Sequence, residues 1–170
     1  SRGLGDVYKR QMNKRVVVTG SHGYIGRVLC KYLHRNGYHV TGVDWLATSR
    51  SAATRYCKSV INDTFDSPDA IRAMEGADII FHLAATSEVG PSSYTPSEYF
   101  YNNAGRTANM CNELQLADWK GHIVFASTAA VYYPDAGALT EDHLVSPQNN
   151  YGHSKAACEL ILEKQCEVID

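Results

Sequence analysis

A tyrosine and a lysine four residues apart could carry acid–base chemistry in this sequence. They are Tyr151 and Lys155 of the segment YGHSK. A separation of four places both side chains on one face of a helix, about 6 Å apart. A tyrosine phenol is ordinarily protonated at neutral pH, but a nearby ammonium favours the phenolate, which can accept a proton from a hydroxyl. Such pairs are common on protein surfaces, so the meaning of this one depends on what precedes it.

A glycine-rich segment near the start has the spacing of a phosphate-binding turn. It reads TGSHGYIG at positions 19–26, after an apolar run and before a helical pattern. Gly20, Gly23 and Gly26 would permit a sharp turn, close approach of the backbone to a pyrophosphate and close helix packing. The helix N-terminus would offer N–H groups to the phosphates. Three glycines alone could form an ordinary turn, but the strand before and the helix after predict a dinucleotide site.

An acidic residue ends the next strand pattern. Asp44 lies 18 residues beyond Gly26, where a carboxylate in a dinucleotide-binding fold accepts hydrogen bonds from the adenosine ribose. A carboxylate there also repels a 2′-phosphate, which predicts NAD as the cofactor. Arg50 lies just downstream and could hold a 2′-phosphate, so NADP stays open.

A third candidate is the pair Ser127-Thr128, at the end of the fifth strand pattern. The carboxyl ends of parallel strands line the ligand crevice in this class of sheet, and a hydroxyl there can bind a substrate hydroxyl. Alone, Thr128 would be a β-branched strand end. With Tyr151 downstream, we predict that Thr128, Tyr151 and Lys155 are the catalytic residues.

The elements that must position these residues alternate along the chain. Alternating strands and helices predict parallel strands with right-handed crossovers, an α/β fold of the Rossmann-type doubly wound class. Ser67 is the expected N-cap of the helix that begins at Pro68, and Gly37 is expected to end the first helix. The apolar runs predict strands at 15–19, 39–43, 58–61, 78–83 and 122–127, and the helical patterns predict helices at 24–36, 68–74, 97–117 and from 151 onward.

Composition excludes several classes of protein. The chain has 170 residues, 44% of them apolar, and a net charge of −2. No basic stripe is available to neutralise phosphates, which argues against nucleic-acid binding, and no apolar run reaches the length of a membrane span. The five cysteines form no C-x-x-C pair. They predict neither a disulfide framework nor a metal site, and they favour a cytoplasmic location.

The two ends of the chain look unlike the rest. Residues 1–11 have no apolar core and no strand or helix period, so we interpret them as a leader or flanking sequence rather than a signal peptide. The chain stops inside a helical pattern without a C-cap signal. We therefore expect residues 12–170 to be an incomplete NAD-binding domain, truncated before its last strands. The C-terminal substrate region would be absent and the 170-residue chain inactive.

Together these motifs carry a family resemblance. Positions 19–26, the segment HLAA at 82–85, Ser127-Thr128 and the Tyr151/Lys155 pair resemble the extended short-chain dehydrogenase/reductase family, over about residues 14–164. Three further stretches are similar to the NAD-dependent nucleotide-sugar epimerases of that family: VGPS at 89–92, PSEYFYNN at 96–103 and SPQ at 146–148.

The resemblance implies NAD-dependent epimerisation of a nucleotide sugar at C4 through a transient 4-keto intermediate, by a homodimer when full length. The family's dehydratases carry acidic residues just after the catalytic threonine, whereas Ala129-Ala130 follow here, which favours epimerisation. The alternatives are a dehydrogenase or reductase that releases its reduced cofactor, and a non-catalytic nucleotide-sensing module. The cofactor-binding residues that the resemblance adds are Tyr24 and Ile25 at the pyrophosphate, Asp63 and Thr64 at the adenine, Leu83, Ala84, Ala85, Thr86 and Ser87 beside the cofactor, Asn102 near the nicotinamide half, and Tyr151 and Lys155.

Overall fold

The computed structural model describes residues 14–46, 52–134 and 137–167. The chain divides into two compact units. The first, which we call the sheet unit, comprises residues 1–84 and 116–126. The second, which we call the helical unit, comprises residues 85–115 and 127–170.

The sheet unit contains a five-stranded parallel sheet in the order β3-β2-β1-β4-β5. β-Branched residues favour strands, and a continuous apolar run such as the three valines of β1 suits a strand that is covered on both faces. All four strand pairings are parallel, which confirms the predicted Rossmann-type α/β fold. The strands are β1 Arg15–Thr19, β2 His39–Val43, β3 Ser59–Ile61, β4 Ile79–His82 and β5 His122–Phe125.

Two α-helices and a 3₁₀ segment complete the described part of the sheet unit. They are α1 Tyr24–Arg35, the 3₁₀ segment Ala52–Tyr56 and α2 Pro68–Glu75. Gly37 follows α1 with a φ of 81°, and the Ser67 hydroxyl accepts a hydrogen bond from the N–H of Ala70 at 3.4 Å. Both predicted helix boundaries are confirmed. The buried core between β1, β2 and α1 consists of Val16, Val18, Cys30, Leu33 and Val40.

The helical unit is built around α5, Asn150–Glu167. The segment before helix α3, Pro96–Tyr99, is tied to its neighbours by two side chains. The Tyr99 hydroxyl donates to the Glu88 carbonyl at 2.6 Å, and the Asn150 amide donates to the Ser92 carbonyl at 2.9 Å. The other described helical segments are 3₁₀ turns at Pro91–Ser93 and Ala129–Val131, α3 Pro96–Tyr99 and α4 Arg106–Leu116.

The prediction of one continuous α-helix over 97–117 is wrong, because its middle part is not α-helical. Between α3 and α4 the backbone forms a π-helix, Phe100–Gly105. Isolated π segments inside α-helices occur often at functional sites. This one contains Asn103, whose side chain is buried and bonded to other segments of the helical unit. A tertiary interaction of that kind leaves no trace in the helical period of the sequence.

Candidate functional site

The turn from β1 to α1 requires glycine at two positions for steric reasons. Gly20 has a φ of +66°, and a Cβ built on it would lie 2.9 Å from the backbone nitrogen of Ala84. A Cβ on Gly26 would lie 2.1 Å from the carbonyl oxygen of Gly20. Gly23 supplies the N-cap of α1 without a capping side chain. The turn thus leaves the helix N-terminus open to an anion, as a phosphate-binding turn requires.

Two exposed residues open helix α1 directly after this turn. The side chains of Tyr24 and Ile25 are 80% and 61% exposed. Their contribution to a bound pyrophosphate would come from backbone N–H groups of the first helical turn, which have no intrahelical partner. Their predicted role stays a prediction.

A buried threonine joins the ends of β1 and β4. Thr19 Oγ1 accepts hydrogen bonds from the N–H groups of Leu83 and Ala84, both at 3.1 Å. With both lone pairs engaged, its proton is donated to His82 Nδ1 at 2.8 Å. Thr19 and His82 are 0% and 1% exposed. Sequence reasoning assigned them no role, yet they fix the backbone of Leu83 and Ala84, two of the predicted cofactor-binding residues.

Asp44 is bonded directly to the glycine-rich turn. Its Oδ2 accepts from the N–H of His22 and its Oδ1 from the N–H of Leu46, each at 2.9 Å. The carboxylate is half-buried and therefore held in one place beside the turn. This arrangement suits the predicted ribose contact. Arg50, the residue that left NADP open, lies outside the described residues.

The predicted adenine-binding pair lies immediately beyond β3. Asp63 is exposed and Thr64 half-buried, and the N–H of Thr64 donates to Asp63 Oδ1 at 2.7 Å. Both therefore belong to the carboxyl-end side of the parallel sheet, where ligands bind in this class of fold.

In the helical unit, an asparagine anchors the segment that begins at Ala85. Asn103 is 2% exposed. Its Oδ1 accepts from the N–H of Thr86 at 2.8 Å, and its Nδ2 donates to the carbonyl of Thr86 at 3.0 Å and to Ser154 Oγ at 2.9 Å. Asn102, the neighbour that was predicted from the sequence, donates to Thr86 Oγ1 at 3.3 Å. Asn103 was missed, although its type and its place beside Asn102 were available signals.

Ser154 carries this network to the turn of α5 that bears the tyrosine. Its hydroxyl donates to the carbonyl of Tyr151 at 2.8 Å. Ala85 and Thr86 are half-buried, whereas Ser87 is exposed. The helical unit therefore fixes the 85–86 backbone and the first turn of α5 through one buried amide.

The threonine turn packs against the same turn of α5. A Cβ on Gly152 would lie 2.3 Å from the carbonyl oxygen of Ala130, so only glycine permits this approach. Thr128 caps the 3₁₀ turn, since its Oγ1 accepts from the N–H of Ala130 at 3.2 Å. The structure thus brings the segment of Thr128 to the segment of Tyr151, and Gly152 is the residue that makes the approach possible.

Lys155 is buried in the helical unit. It is 2% exposed, and burial lowers the pKa of its ammonium to about 8, with Cys158 and Glu159 acting in the opposite direction. Ser127 donates to the carboxylate of Glu159, one turn beyond Lys155. The catalytic role of Thr128 stays a prediction.

The described residues contain neither a candidate membrane span nor a candidate metal site. No helix within the described ranges is both long and apolar enough to cross a membrane. In the same part of the chain, no group of three or more His, Cys, Asp or Glu side chains is arranged to hold a metal ion.

The parallel sheet with its glycine-rich first turn defines a Rossmann-type dinucleotide-binding protein. The chain belongs to the NAD dependent epimerase/dehydratase family, which it matches over residues 16–168. This match confirms the family resemblance seen in the sequence.

The chain is also similar to individual curated proteins. The chain is 32% identical to the UDP-glucose 4-epimerase of Corynebacterium glutamicum over 147 residues, which cover 85% of this chain and 44% of that enzyme. It is also 32% identical to the UDP-glucose 4-epimerase of Bacillus subtilis, over 86% of this chain and 46% of that enzyme. The chain therefore spans about half the length of the curated relatives it matches.

Solved structures of UDP-glucose 4-epimerases are similar to this chain in fold. The UDP-glucose 4-epimerase of Brucella ovis in complex with NAD superposes with a TM-score of 0.82 at 29% identity, covering 91% of this chain and 48% of that one. The enzyme from Stenotrophomonas maltophila, with bound NAD and a formylated UDP-arabinopyranose, gives a TM-score of 0.81 at 26% identity, covering 92% of this chain and 50% of that one.

Proposed function

We propose that this chain carries the cofactor-binding and catalytic residues of an NAD-dependent enzyme that epimerises a nucleotide sugar at C4. The observation that carries the proposal is the first turn of α5. There Tyr151 precedes the buried Lys155 by four residues, and Gly152 admits the Thr128 turn. The named relatives, which are UDP-glucose 4-epimerases, support the same activity.

The residues of the sheet unit fit the adenosine and pyrophosphate parts of NAD. Gly20 and Gly26 sit where a Cβ would collide with backbone, and the open N-terminus of α1 suits a diphosphate. Asp44 would accept hydrogen bonds from the ribose and repel a 2′-phosphate. Asp63 and Thr64 would flank the adenine.

Bound NAD would supply the hydride acceptor for C4 of the sugar. Tyr151, as phenolate, would take the proton of the 4-hydroxyl, and Thr128 would orient that hydroxyl by a hydrogen bond. Lys155 would favour the phenolate by its charge and hold the nicotinamide ribose. In the return direction Tyr151 would give the proton back to the 4-keto sugar, so the residues end each cycle as they began.

The residues after Thr128 favour epimerisation over elimination. A dehydration at C5 and C6 needs an acidic side chain for proton transfer, and Ala129 and Ala130 occupy the 3₁₀ turn that follows Thr128. A methyl group can neither donate nor accept a proton. The turn therefore supports chemistry confined to C4.

The test is turnover by the full-length gene product with UDP-glucose. An epimerase yields UDP-galactose, visible by NMR, without added cofactor and without net absorbance from reduced nicotinamide. A dehydrogenase instead consumes added NAD and accumulates the reduced form, and a sensing module binds the nucleotide without turnover. Either of the last two results, obtained across a panel of nucleotide sugars, would refute the proposal.

Two further properties belong to the proposal. The family resemblance supports a homodimer for the full-length gene product, which light scattering would test. The cysteine pattern supports a reducing, cytoplasmic location, which cell fractionation would test.

A further inference from the structure

Two cysteines of the sheet unit are in direct contact. Cys30 lies on α1 and Cys57 lies between the 3₁₀ segment and β3. The two thiols are near enough for a hydrogen bond from Cys30 to the sulfur of Cys57 to influence the pKa of both. Cys57 also packs against the core cluster of which Cys30 is a member. The contact therefore joins two segments that are far apart in the chain.

The two sulfurs have different surroundings. Cys30 is fully buried, whereas Cys57 is partly exposed. Cys57 also accepts a hydrogen bond from the N–H of Gly42. Its Sγ lies 3.1 Å from the point where a Cβ on Gly42 would stand, so the absence of a side chain at position 42 creates the space for this sulfur.

These contacts shift the pKa values of the two thiols in opposite directions. The hydrogen bond from Cys30 lowers the pKa of the Cys57 thiol, and the N–H of Gly42 acts in the same direction. The same thiol–thiol hydrogen bond raises the pKa of Cys30, and burial raises it further. Because the thiolate is the reactive form of cysteine, these directions and the partial exposure of Cys57 make it the candidate nucleophile, with Cys30 as its proton-bearing partner.

We propose that Cys30 and Cys57 form a redox-modification site, a dithiol that a peroxide converts to an intramolecular disulfide. The observations are the thiol–thiol contact, the partial exposure of Cys57 and the backbone donor on its sulfur. Cys111 and Cys158 are both buried. They serve as internal reference thiols for the reactivity of Cys30 and Cys57.

The chemistry balances with hydrogen peroxide as the oxidant. The Cys57 thiolate attacks one peroxide oxygen, the O–O bond breaks, and hydroxide leaves and is protonated to water. This gives a sulfenic acid on Cys57. The sulfur of Cys30 then attacks the Cys57 sulfur, the S–O bond breaks, and a second water leaves with the proton of Cys30. Two thiols and one peroxide thus give one disulfide and two waters.

Oxidation of Cys57 to the sulfenic acid favours the attack by Cys30. The hydrogen bond to Cys57 and the charge of that sulfur both raise the pKa of Cys30. When Cys57 becomes a sulfenic acid, it no longer carries this charge. Cys30 then loses its proton more easily, directly beside the sulfur it must attack.

The pair lies next to the nucleotide-binding turn. The missing Cβ of Gly42 would lie 2.7 Å from Ser21 Oγ and 3.1 Å from Cys57 Sγ. The preceding 3₁₀ segment also contacts the turn, where Thr54 Oγ1 lies 3.3 Å from His22 Nε2. A disulfide would therefore covalently join α1 to the segment that supports this turn.

Peptide mapping of the unmodified chain tests the site. The reduced protein is treated with hydrogen peroxide, remaining thiols are blocked with iodoacetamide, and the product is digested with trypsin. Cleavage after Arg27, Lys31, Arg55 and Lys58 places the two cysteines in the short peptides 28–31 and 56–58. We expect these two peptides joined by a disulfide that dithiothreitol releases, with the Cys111 and Cys158 peptides alkylated.

A kinetic measurement checks the nucleophile. At neutral pH Cys57 should react with iodoacetamide faster than Cys111, because its lowered pKa increases the thiolate fraction and its sulfur is partly exposed whereas Cys111 is buried. Cys57→Ala should slow the peroxide-driven loss of thiols, and the control Cys111→Ala should not. Peptides 28–31 and 56–58 recovered only as separate alkylated species after peroxide would overturn the proposal, and this result needs no variant to fold.

Discussion

Lys155 is a residue at which burial and function oppose each other. It is 2% exposed, and its burial lowers the pKa of the ammonium to about 8. A buried cation destabilises the folded state, yet in the proposed mechanism this charge favours the phenolate of Tyr151. Sites of this kind trade stability for activity.

Lys155→Met should therefore make the protein more stable at neutral pH while impairing catalysis and cofactor retention. The folded-state pKa is about 8 against an ordinary 10.5. Below pH 8 both states hold the proton and the folded state bears a cost of about 3 kcal/mol. Between pH 8 and 10.5 the unfolded state binds more protons, so stability rises with pH. Urea unfolding of both proteins from pH 7 to 10 measures this, and parallel profiles would contradict it.

Tyr151→Phe tests the proposed base without removing the ring. In the full-length gene product kcat should fall by about 10²–10⁴, the usual value of general acid–base help, because only the hydroxyl is lost. NAD should stay bound, since Lys155 and the glycine turn are untouched. Steady-state turnover and the NAD content of the purified variant are the measurements. Turnover at the parent rate would exclude Tyr151 as the base.

At the scale of elements, the approach of α1 to the first turn depends on Gly26. In Gly26→Ala the new Cβ would lie 2.1 Å from the carbonyl oxygen of Gly20, and backbone must move to accept it. We expect a loss of at least about 1–3 kcal/mol in the free energy of unfolding. The matched control is Gly90→Ala, where nothing lies within 4 Å of the new methyl. Denaturant unfolding of both variants measures the two free energies of unfolding. Equal losses in the two variants would contradict the steric role of Gly26.

Asn103 stabilises the helical unit through its hydrogen bonds to Thr86. Asn103→Ala would leave the N–H and carbonyl of Thr86 without their bonds to this side chain, and each buried polar group left unpaired costs about 1–3 kcal/mol. Asn112 is exposed on α4, so Asn112→Ala should change stability by no more than about 0.5 kcal/mol. Thermal unfolding of the two variants provides the comparison. A loss confined to Asn112→Ala, or equal in both, would refute this role.

Local patterns predicted the elements well, and contacts between segments account for the differences. The valines of β1, the Ser67 cap and the glycine after α1 act within a few residues, so their sequence signals were sufficient. The π-helix Phe100–Gly105 has no such signal, because Asn103 makes its contacts with Thr86 and Ser154, distant in sequence.

The same distinction between local patterns and contacts of distant segments holds for the molecule as a whole. The glycine turn and Asp44 were predicted because this class of fold repeats their spacing. The Thr19–His82 bond spans 63 residues, and the Cys30–Cys57 contact likewise joins distant segments. The sequence alone does not show which of these residues are in contact, so only the folded chain reveals the two pairs.

Cofactor binding should stabilise the whole molecule by mass action. A ligand that binds only the folded state at a hundredfold excess over its Kd adds about 2.7 kcal/mol, so NAD should raise the unfolding temperature of the apoprotein. NADP at equal concentration should raise it less, because the half-buried carboxylate of Asp44 repels a 2′-phosphate.

Asp44→Ala and Asp44→Asn separate charge from hydrogen bonding in this effect. Asp44→Ala loses both acceptors, those for His22 and Leu46, and NAD binding should weaken by about 1–3 kcal/mol. Asp44→Asn keeps one acceptor oxygen and loses the charge, so the gap between NAD and NADP should narrow. Thermal shifts and isothermal titrations of the full-length gene product with both cofactors are the measurements. A larger shift with NADP than with NAD in the parent protein would disprove the preference, because the same Asp44 carboxylate cannot both repel the 2′-phosphate and admit it.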